Sequence, residues 1–500
     1  MKLLWCFLTA SLLTTMCIAG TPAPIKKKGN LYISHFENVL GTSLELKIST
    51  PSKATAQNAE DAALNEISRM SKILSAYDPA SEFSQWLKTS QQPVKVSNEL
   101  FEVLSLFDEW RLRSGGVLDA SAEAINQVWK KAAAIHRVPT PEEINTAMAE
   151  VKQPHWKLDA VAHTATHLSN APLMLNSFVK SYIIKHAAAV AMASGNMTAV
   201  VVNIGGDLVV LGNTNETVQI TNPKADAENE TPIAQLLISN KAVATSGNYR
   251  RGELINGHWY SHIVDPRNGQ PADNIISATV VANNATDAGA LATAFNVITP
   301  QESVQLASTV PGAEYMIITK NGERITSKGW DALTVPLAKT PEKEKTVTGN
   351  SNDFELLINL EIKLQQGFAK RPYVAVWLED ENHAAVRTIS VWHGSDRYMP
   401  ELKSWYLKYR TSYTTDNNFH STVTSATRSP GKYTLKWDGK DDKGNVVKPG
   451  KYTLKIEASR EHGTYQLMRQ EITVDETPKQ LTIPGNAEIE SVSLDYRKKS

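Results

Sequence analysis

The sequence predicts an α/β (mixed α+β) domain over residues 21–334, a linker at 335–353 and an all-β sandwich over 354–500. Three observations carry this. Apolar residues recur at spacings of three and four as far as residue 193, then give way to short β-branched runs divided by Gly, Asn and Pro, without strict alternation of helix and strand. The stretch Val335–Asp353 (VPLAKTPEKEKTVTGNSND) is charged, contains proline and lacks apolar periodicity. Beyond it, apolar residues alternate one by one, as half-buried strands do.

Residues 1–20 (MKLLWCFLTASLLTTMCIAG) combine Lys2, an apolar run from Leu3 to Met16 and the small pair Ala19-Gly20. That is the pattern of a secretory signal peptide, too short for a stable spanning helix. Cleavage there removes Cys6 and Cys17, the two cysteines of the 500-residue chain, so the mature protein has no thiol chemistry. Lipid attachment at Cys17 is the alternative, although Thr14-Thr15-Met16 matches a lipoprotein signal poorly. The reading is export to the periplasm. With 52 basic against 52 acidic residues, no global field draws the chain to nucleic acid or anionic lipid. A composition of 41% apolar and 21% charged residues excludes a largely disordered chain, a collagen and a polytopic membrane protein.

The first strand is read from Asn30 to Ile48, interrupted at Gly41-Thr42. A helix follows from Ala54 to Tyr77, with Leu64, Ile67, Met70, Ile73 and Leu74 on one stripe. Leu100, Val103, Leu104, Phe107 and Trp110 repeat the pattern until Gly115-Gly116 stops it. Asp119 is read as the cap of a third helix carrying Ile125, Val128 and Trp129, and a longer helix runs from Pro172 to Ala193. Strands are expected at 199–204, 208–211, 233–238, 258–264, 276–282 and 315–319, with helices at 287–298 and near Glu302. In the last body the strands are 354–363, 373–378, 388–392, 433–437 and 452–458. The turn-rich DGKDDKGNVVKPG joins the last two.

Four segments carry ligand-type or backbone-special residues. Val202-Asn203-Ile204-Gly205-Gly206-Asp207 is a buried strand ending in two glycines and an acid. It reads either as amides approaching a phosphate or as a tight hairpin turn with Asp207 at its corner. Ala244-Thr245-Ser246-Gly247-Asn248-Tyr249 offers small hydroxyls that hold phosphate oxygens or close an ordinary turn. In Ser261-His262-Ile263-Val264-Asp265-Pro266-Arg267-Asn268-Gly269, His262 is a candidate general acid or base, or a structural hydrogen-bonder. Ala285–Val297 (ATDAGALATAFNV) pairs a carboxylate with a hydroxyl, a Mg²⁺-type donor set, unless Asp287 only caps the helix.

In this order and at these spacings, NIGGD, ATSGNY, HIVDPRNG and ALATA resemble the ApbE family, the FAD:protein FMN transferases. Further matches are Leu40-Gly41-Thr42, Ala76-Tyr77 before Ser81-Glu82, Gly116-Val117-Leu118-Asp119 with Trp129, and LNSFVKSYIIKHAA at Lys180 and Tyr182. Together they span about Leu31 to Thr319. The resemblance implies an ApbE-like α+β domain that binds FAD and Mg²⁺ and splits the pyrophosphate. FMN is then attached to a threonine of an exported or membrane flavoprotein, with release of AMP. The implied partners are FAD and an acceptor flavoprotein subunit of the cell envelope, with no nucleic acid and no membrane contact beyond that partner or a Cys17 anchor.

Carried over by position, Leu40, Tyr77, Val117, Leu118, Asp119 and Ile263 line the FAD site. Thr245, Ser246 and Gly247 support it, Gly205 and Gly206 lie close to the ligand, and Lys180 belongs to the same set. His262 activates the acceptor threonine and Asp265 helps hold its loop. For the metal, Ala188 offers its main-chain carbonyl, Thr293 its hydroxyl and Asp287 the nearest acid. The departures from the pattern are specific. Gly289 stands where the family's A-D-A-L-A-T has its acid, Ser181 replaces a glycine, and Lys185 and Asn176 replace acids. Asp287 lies six residues before Thr293, about 240° around a regular helix. These losses weaken the Mg²⁺ case, while Lys185 is suited to neutralise phosphate, so a non-catalytic FAD or nucleotide carrier is the alternative function. An envelope interaction protein is the third.

In the last body, WDGKDDKGNVVKPGKYTLKIEA resembles the immunoglobulin-like module of flagellar hook-capping proteins. YVAVWLED, RYMPELKSW and ATRSPGKYTLKWDG resemble an uncharacterised periplasmic domain sometimes joined to ApbE-type domains. Trp377, Trp392, Trp405 and Trp437 are read as core, and the body as a docking module without a catalytic set.

Overall fold

The computed structural model describes residues 29–499, apart from 337–353, 364–370, 416–422 and short gaps at 226, 228, 231, 250, 394–395, 429 and 461–462. The expected signal peptide, and the expected linker beyond Pro336, lie outside the described residues.

The single interrupted strand expected at the start is a hairpin of two, β1 (Asn30–Val39) and β2 (Thr42–Thr50). Leu40 and Gly41, with φ of +50° and +76°, form its two-residue loop, the geometry that matches strand twist. A helical stretch follows: α1 (Lys53–Leu74), α2 (Glu82–Trp86), β3 (Pro93–Lys95), α3 (Asn98–Arg113), α4 (Ala122–Ala133), α5 (Pro141–Val151), β4 (Trp156–Asp159), β5 (Thr164–His167) and α6 (Val179–Ala193). Asp119 does not cap α4. That position belongs to Ser121, whose N–H and hydroxyl both donate to the Asp119 carboxylate. Nor does α6 begin at Pro172: it starts at Val179, because Pro172 to Phe178 run along the floor of a cleft as non-helical chain. The sequence reading passed over α5, although Thr140 and Glu143 form a reciprocal capping box with Pro141 at the first turn.

Next come β6 (Ala199–Ile204), β7 (Asp207–Gly212), β8 (Glu216–Ile220), β9 (Ala234–Ile238), β10 (Ala242–Gly247), β11 (Gly252–Ile255), β12 (His258–Ser261) and β13 (Ile275–Ala282). The body closes with α7 (Ala285–Val297), α8 (Pro300–Ser308), β14 (Glu314–Thr319) and β15 (Arg324–Thr326). Eight strands form one sheet, ordered β1-β2-β6-β7-β10-β13-β14-β15, and every pairing in it is antiparallel. Side chains alternate across it with period two. Val200, Val202, Ile204, Val280 and Ile317 face the helices, while Val201, Val210, Val281, Met316 and Ile318 face a smaller core closed by β8, β9 and Trp330. Helix α7 is buried along nearly its whole length, so its inward stripe forms part of whatever the core leaves open.

The second body contains β16 (Phe354–Ile362), β17 (Tyr373–Asp380), β18 (Ala385–His393), α9 (Lys403–Thr415), β19 (Thr424–Ala426), β20 (Gly431–Trp437), β21 (Gly450–Ser459), β22 (Tyr465–Val474), β23 (Lys479–Pro484) and β24 (Ile489–Lys498). Its sheets, β20-β16-β24-β23 and β19-β18-β17-β21-β22, enclose a common core that includes Ile358, Leu360, Val376, Leu378 and Trp437. Helix α9 is unanticipated. Trp405 and Tyr409 seat it on the outer face of the larger sheet, against Tyr373, Ala375 and Trp377. The result is a two-sheet body with a helical third layer, not the bare immunoglobulin-like sandwich expected. The two bodies touch: the Asn229 side chain donates to the Lys436 carbonyl and accepts from the Lys436 N–H, both at 2.8 Å.

Candidate functional site

A cleft of about 700 Å³ opens at one end of the large sheet. Helices α6 and α7 meet there the ends of β7 and β10, the segment 117–126 and the β11–β12 hairpin. The size falls in the usual range for small-molecule pockets, roughly 300–1,000 Å³.

Its floor starts from a turn. Gly205 and Gly206, with φ of +60° and +95°, form a two-residue hairpin loop that pairs Ile204 with Asp207. A Cβ at Gly205 would lie 2.7 Å from Thr42 Cγ2, so at this positive φ any other residue is strained and displaces Thr42. The pair therefore works as a turn. Neither glycine lines the cleft; what they deliver into it is Asp207. The Asp207 carboxylate sits 3.0 Å from Lys180 Nζ and accepts from Ser181 Oγ and the Thr245 N–H, each at 3.3 Å. Gly289, Ala292, Thr293 and Val297 form the α7 stripe that faces the same space. Thr293 Oγ1 donates to the Ser177 carbonyl at 2.8 Å.

Val117, Leu118 and Asp119 form one wall. Asp119 is buried and committed: besides its bonds from Ser121, it pairs with Arg111 at 2.7 Å. Tyr77 stands at the mouth, highly exposed, its hydroxyl accepting from Asn176 Nδ2 at 2.7 Å. Thr245, Ser246, Gly247, His262 and Ile263 form the facing wall. Gly247 is held to glycine by the Tyr249 ring, which a Cβ would approach to 2.6 Å. The ring Nδ1 of His262 lies 2.9 Å from the Arg251 carbonyl. A carbonyl only accepts, so Nδ1 carries the proton and the neutral ring presents Nε2 as an acceptor. Burial, aided by the Arg251 and Lys130 charges, holds the imidazole below its ordinary value despite that carbonyl bond. Asp265 lies behind this wall, tying Arg267, Asn268 and the Gly269 N–H into one loop.

The remaining expected residues lie elsewhere. Leu40 occupies the β1–β2 turn and packs partly against the core. Lys185 extends over the Tyr182 ring, 5.7 Å from its centroid, and does not line the cleft. Asp287 is likewise outside: burial pushes its carboxyl up, and its charged neighbours are Arg113, Glu109 and Lys185. It does not cap α7 either, since the cap is Asn284. Ala188 is fully buried within α6, where mid-helix carbonyls serve the helix; the carbonyl beside Thr293 is that of Ser177.

Magnesium takes hard oxygen donors, with one or two carboxylates beside water and substrate phosphates. Here the carboxylate beside Thr293 on the floor is Asp207, already balanced by Lys180, while Asp119, Glu123 and Glu253 line other parts of the cleft. Thr293 Oγ1 donates to the Ser177 carbonyl and keeps its lone pairs, so it offers a neutral donor without charge, and among the described residues no three His, Cys, Asp or Glu side chains gather as a metal group. A Cβ at Gly289 would lie 2.4 Å from Ser181 Oγ, so the serine fills the space a side chain there would need. These residues do not fit a magnesium site. Sequence reasoning left Asp207 at a hairpin corner and Ser181 as an isolated departure; their joining required the α6–β7 crossing.

Fold and cleft together define an antiparallel α+β binding domain with a proton acceptor on one wall and an ion pair on its floor. The chain belongs to the ApbE family, whose model matches residues 40–317. A second model, described as "Predicted periplasmic protein (DUF2271)", matches residues 355–491, so the second body carries that periplasmic domain. The FAD:protein FMN transferase of Escherichia coli K12 is 26% identical over 263 residues, covering 50% of this chain and 74% of its own. That of Haemophilus influenzae is 25% identical over 316 residues, covering 59% and 89%. Among solved structures, the ApbE protein of Thermotoga maritima shares the fold at a TM-score of 0.55 and 23% identity, over 61% of this chain and all of its own. The Pseudomonas stutzeri flavinyl transferase ApbE does so at 0.51 and 20%, over 62% and 99%.

Proposed function

We propose that the first body is a flavin transferase of the periplasm, moving FMN from FAD to a threonine of an exported flavoprotein and releasing AMP. Family membership and the curated FAD:protein FMN transferases that it resembles support the reaction class. The observation that carries it is the His262 ring, fixed through Nδ1 to the Arg251 carbonyl with Nε2 left to accept a proton. In the transfer, the threonine oxygen attacks the FMN-side phosphorus while His262 Nε2 takes the hydroxyl proton. The P–O bond to AMP breaks, and AMP leaves with that electron pair on its phosphate. Tyr77, Val117 and Leu118 supply the apolar surface for the flavin or adenine ring, with Ser246 and Gly247 opposite.

The test is incubation of the mature chain with FAD and a threonine-bearing acceptor domain. In-gel flavin fluorescence and an intact-mass gain equal to FMN are expected. An acceptor left unmodified while FAD stays bound and intact would instead establish the second reading, a flavin carrier. The glycine at position 289 and the already neutralised Asp207 are the observations that favour it.

A further inference from the structure

We infer that this cleft receives the diphosphate of its dinucleotide without a divalent cation, the Lys180 ammonium supplying the positive charge. This rests on the reading of the cleft as an FAD site. Two features of the floor point to it.

The first is a volume exchange between α6 and α7. Ser181 Oγ and Cβ lie 2.4 and 2.9 Å from where a Cβ on Gly289 would stand. A carboxylate-bearing side chain at 289 therefore requires Ser181 to shift. The space is closed from α6, and the hydroxyl that closes it donates to Asp207.

The second is the state of the ion pair. Asp207 keeps two other donors, Ser181 Oγ and the Thr245 N–H, so its charge stays solvated by the protein when Lys180 turns away. Lys180 is one-third exposed, lines the cleft, and has three N–H donors of which Asp207 takes one. An arriving diphosphate finds a cation already desolvated on one side and held in place by its own counter-ion. Of the other carboxylates that line the cleft, Asp119 is bound to Arg111 and Ser121 and Glu123 lies 3.7 Å from Lys130, while Glu253 stands on strand β11. As the bond to AMP breaks, charge growing on the bridging oxygen falls to the same ammonium.

The experiment is a flavin-fluorescence titration of the full mature chain with FAD, in excess EDTA and again in excess Mg²⁺. It is paired with Mn²⁺ uptake measured by electron paramagnetic resonance in the presence of FAD. Equal FAD affinity in the two buffers, within about twofold, and no Mn²⁺ uptake are expected. In Lys180→Gln, FAD affinity falls by about tenfold or more, while riboflavin, which has no phosphate, binds as before. FAD uptake that requires Mg²⁺, or stoichiometric Mn²⁺ uptake by the native chain, overturns the inference and leaves the transferase reading standing. Equal loss of riboflavin and FAD in Lys180→Gln removes Lys180 from the phosphate and overturns it too. FAD uptake in neither buffer overturns both.

Discussion

Trp129 Nε1 donates to the Gly269 carbonyl at 3.0 Å, a bond that joins helix α4 to the loop behind His262 across 140 residues of sequence. The same indole packs on Tyr260, at 4.9 Å between ring centroids, so α4 and the β11–β12 hairpin are held by one side chain. Trp129→Phe keeps most of the ring contact and strands a buried carbonyl. A loss of about 1–3 kcal/mol in denaturant unfolding is expected. Flavin transfer should slow with it, since the loop that seats His262 loosens.

His262 gives a pH prediction with a definite sign. Its folded value lies below the ordinary one of about 6.5, so the ring is the neutral acceptor at pH 7. The acid limb of the rate profile should therefore fall only below that ordinary value. An unfolded chain takes up this proton first as pH drops, so His262 lowers stability on acidification and not on alkalinisation. His262→Gln should cost roughly 10²–10⁴ in transfer rate with FAD affinity retained. Comparing single-turnover rates with flavin titrations separates the two.

Restoring a carboxylate on α7 is not a single substitution. Gly289→Asp places a side chain against Ser181, and overpacking of about 1–3 kcal/mol is expected in thermal or chemical unfolding. The double variant Ser181→Gly with Gly289→Asp relieves the clash. It should recover stability relative to the single change and take up more Mn²⁺ than the native chain.

The second body offers an independent check. Glu379 is fully buried, 2.6 Å from Lys455 and 3.0 Å from Lys408, and accepts from Trp377 Nε1 at 2.9 Å. Burial pushes its carboxyl up, but the bonds from Lys455, Trp377 and Lys408 outweigh that and hold it below the usual range. Its stabilising effect is thus present above the unfolded value of about 4.3 and lost as pH falls through the lower folded one. Glu379→Gln leaves two lysines facing a neutral group. Unfolding monitored by tryptophan fluorescence should show a loss of about 3–5 kcal/mol.

Much of this was legible wherever local chemistry decides the outcome. The α1 stripe through Ile67, Met70 and Leu74 is buried as its spacing predicts. Gly205-Gly206 turned the chain as a hairpin, one of the two readings the residues allowed. Helix α9 escaped notice because its buried side chains, Trp405, Tyr409 and Tyr413, are aromatic residues that favour strands as readily as helices. The floor of the cleft was illegible for another reason. Asp207 meets Lys180 only because β7 begins beside the first turn of α6, and Ser181 meets Gly289 only because two helices cross there. Asp287 and Lys185 show the reverse error: each is close in sequence to the cleft but turned away from it by helical rotation.

Strand β20 is the outermost of its sheet, and such an edge is a template for pairing with another chain. The amide of Asn229 occupies both the N–H and the carbonyl of Lys436 on that edge, imitating one rung of a neighbouring strand. The first body thus covers one residue of that edge, and a strand adding there would first have to displace the Asn229 amide.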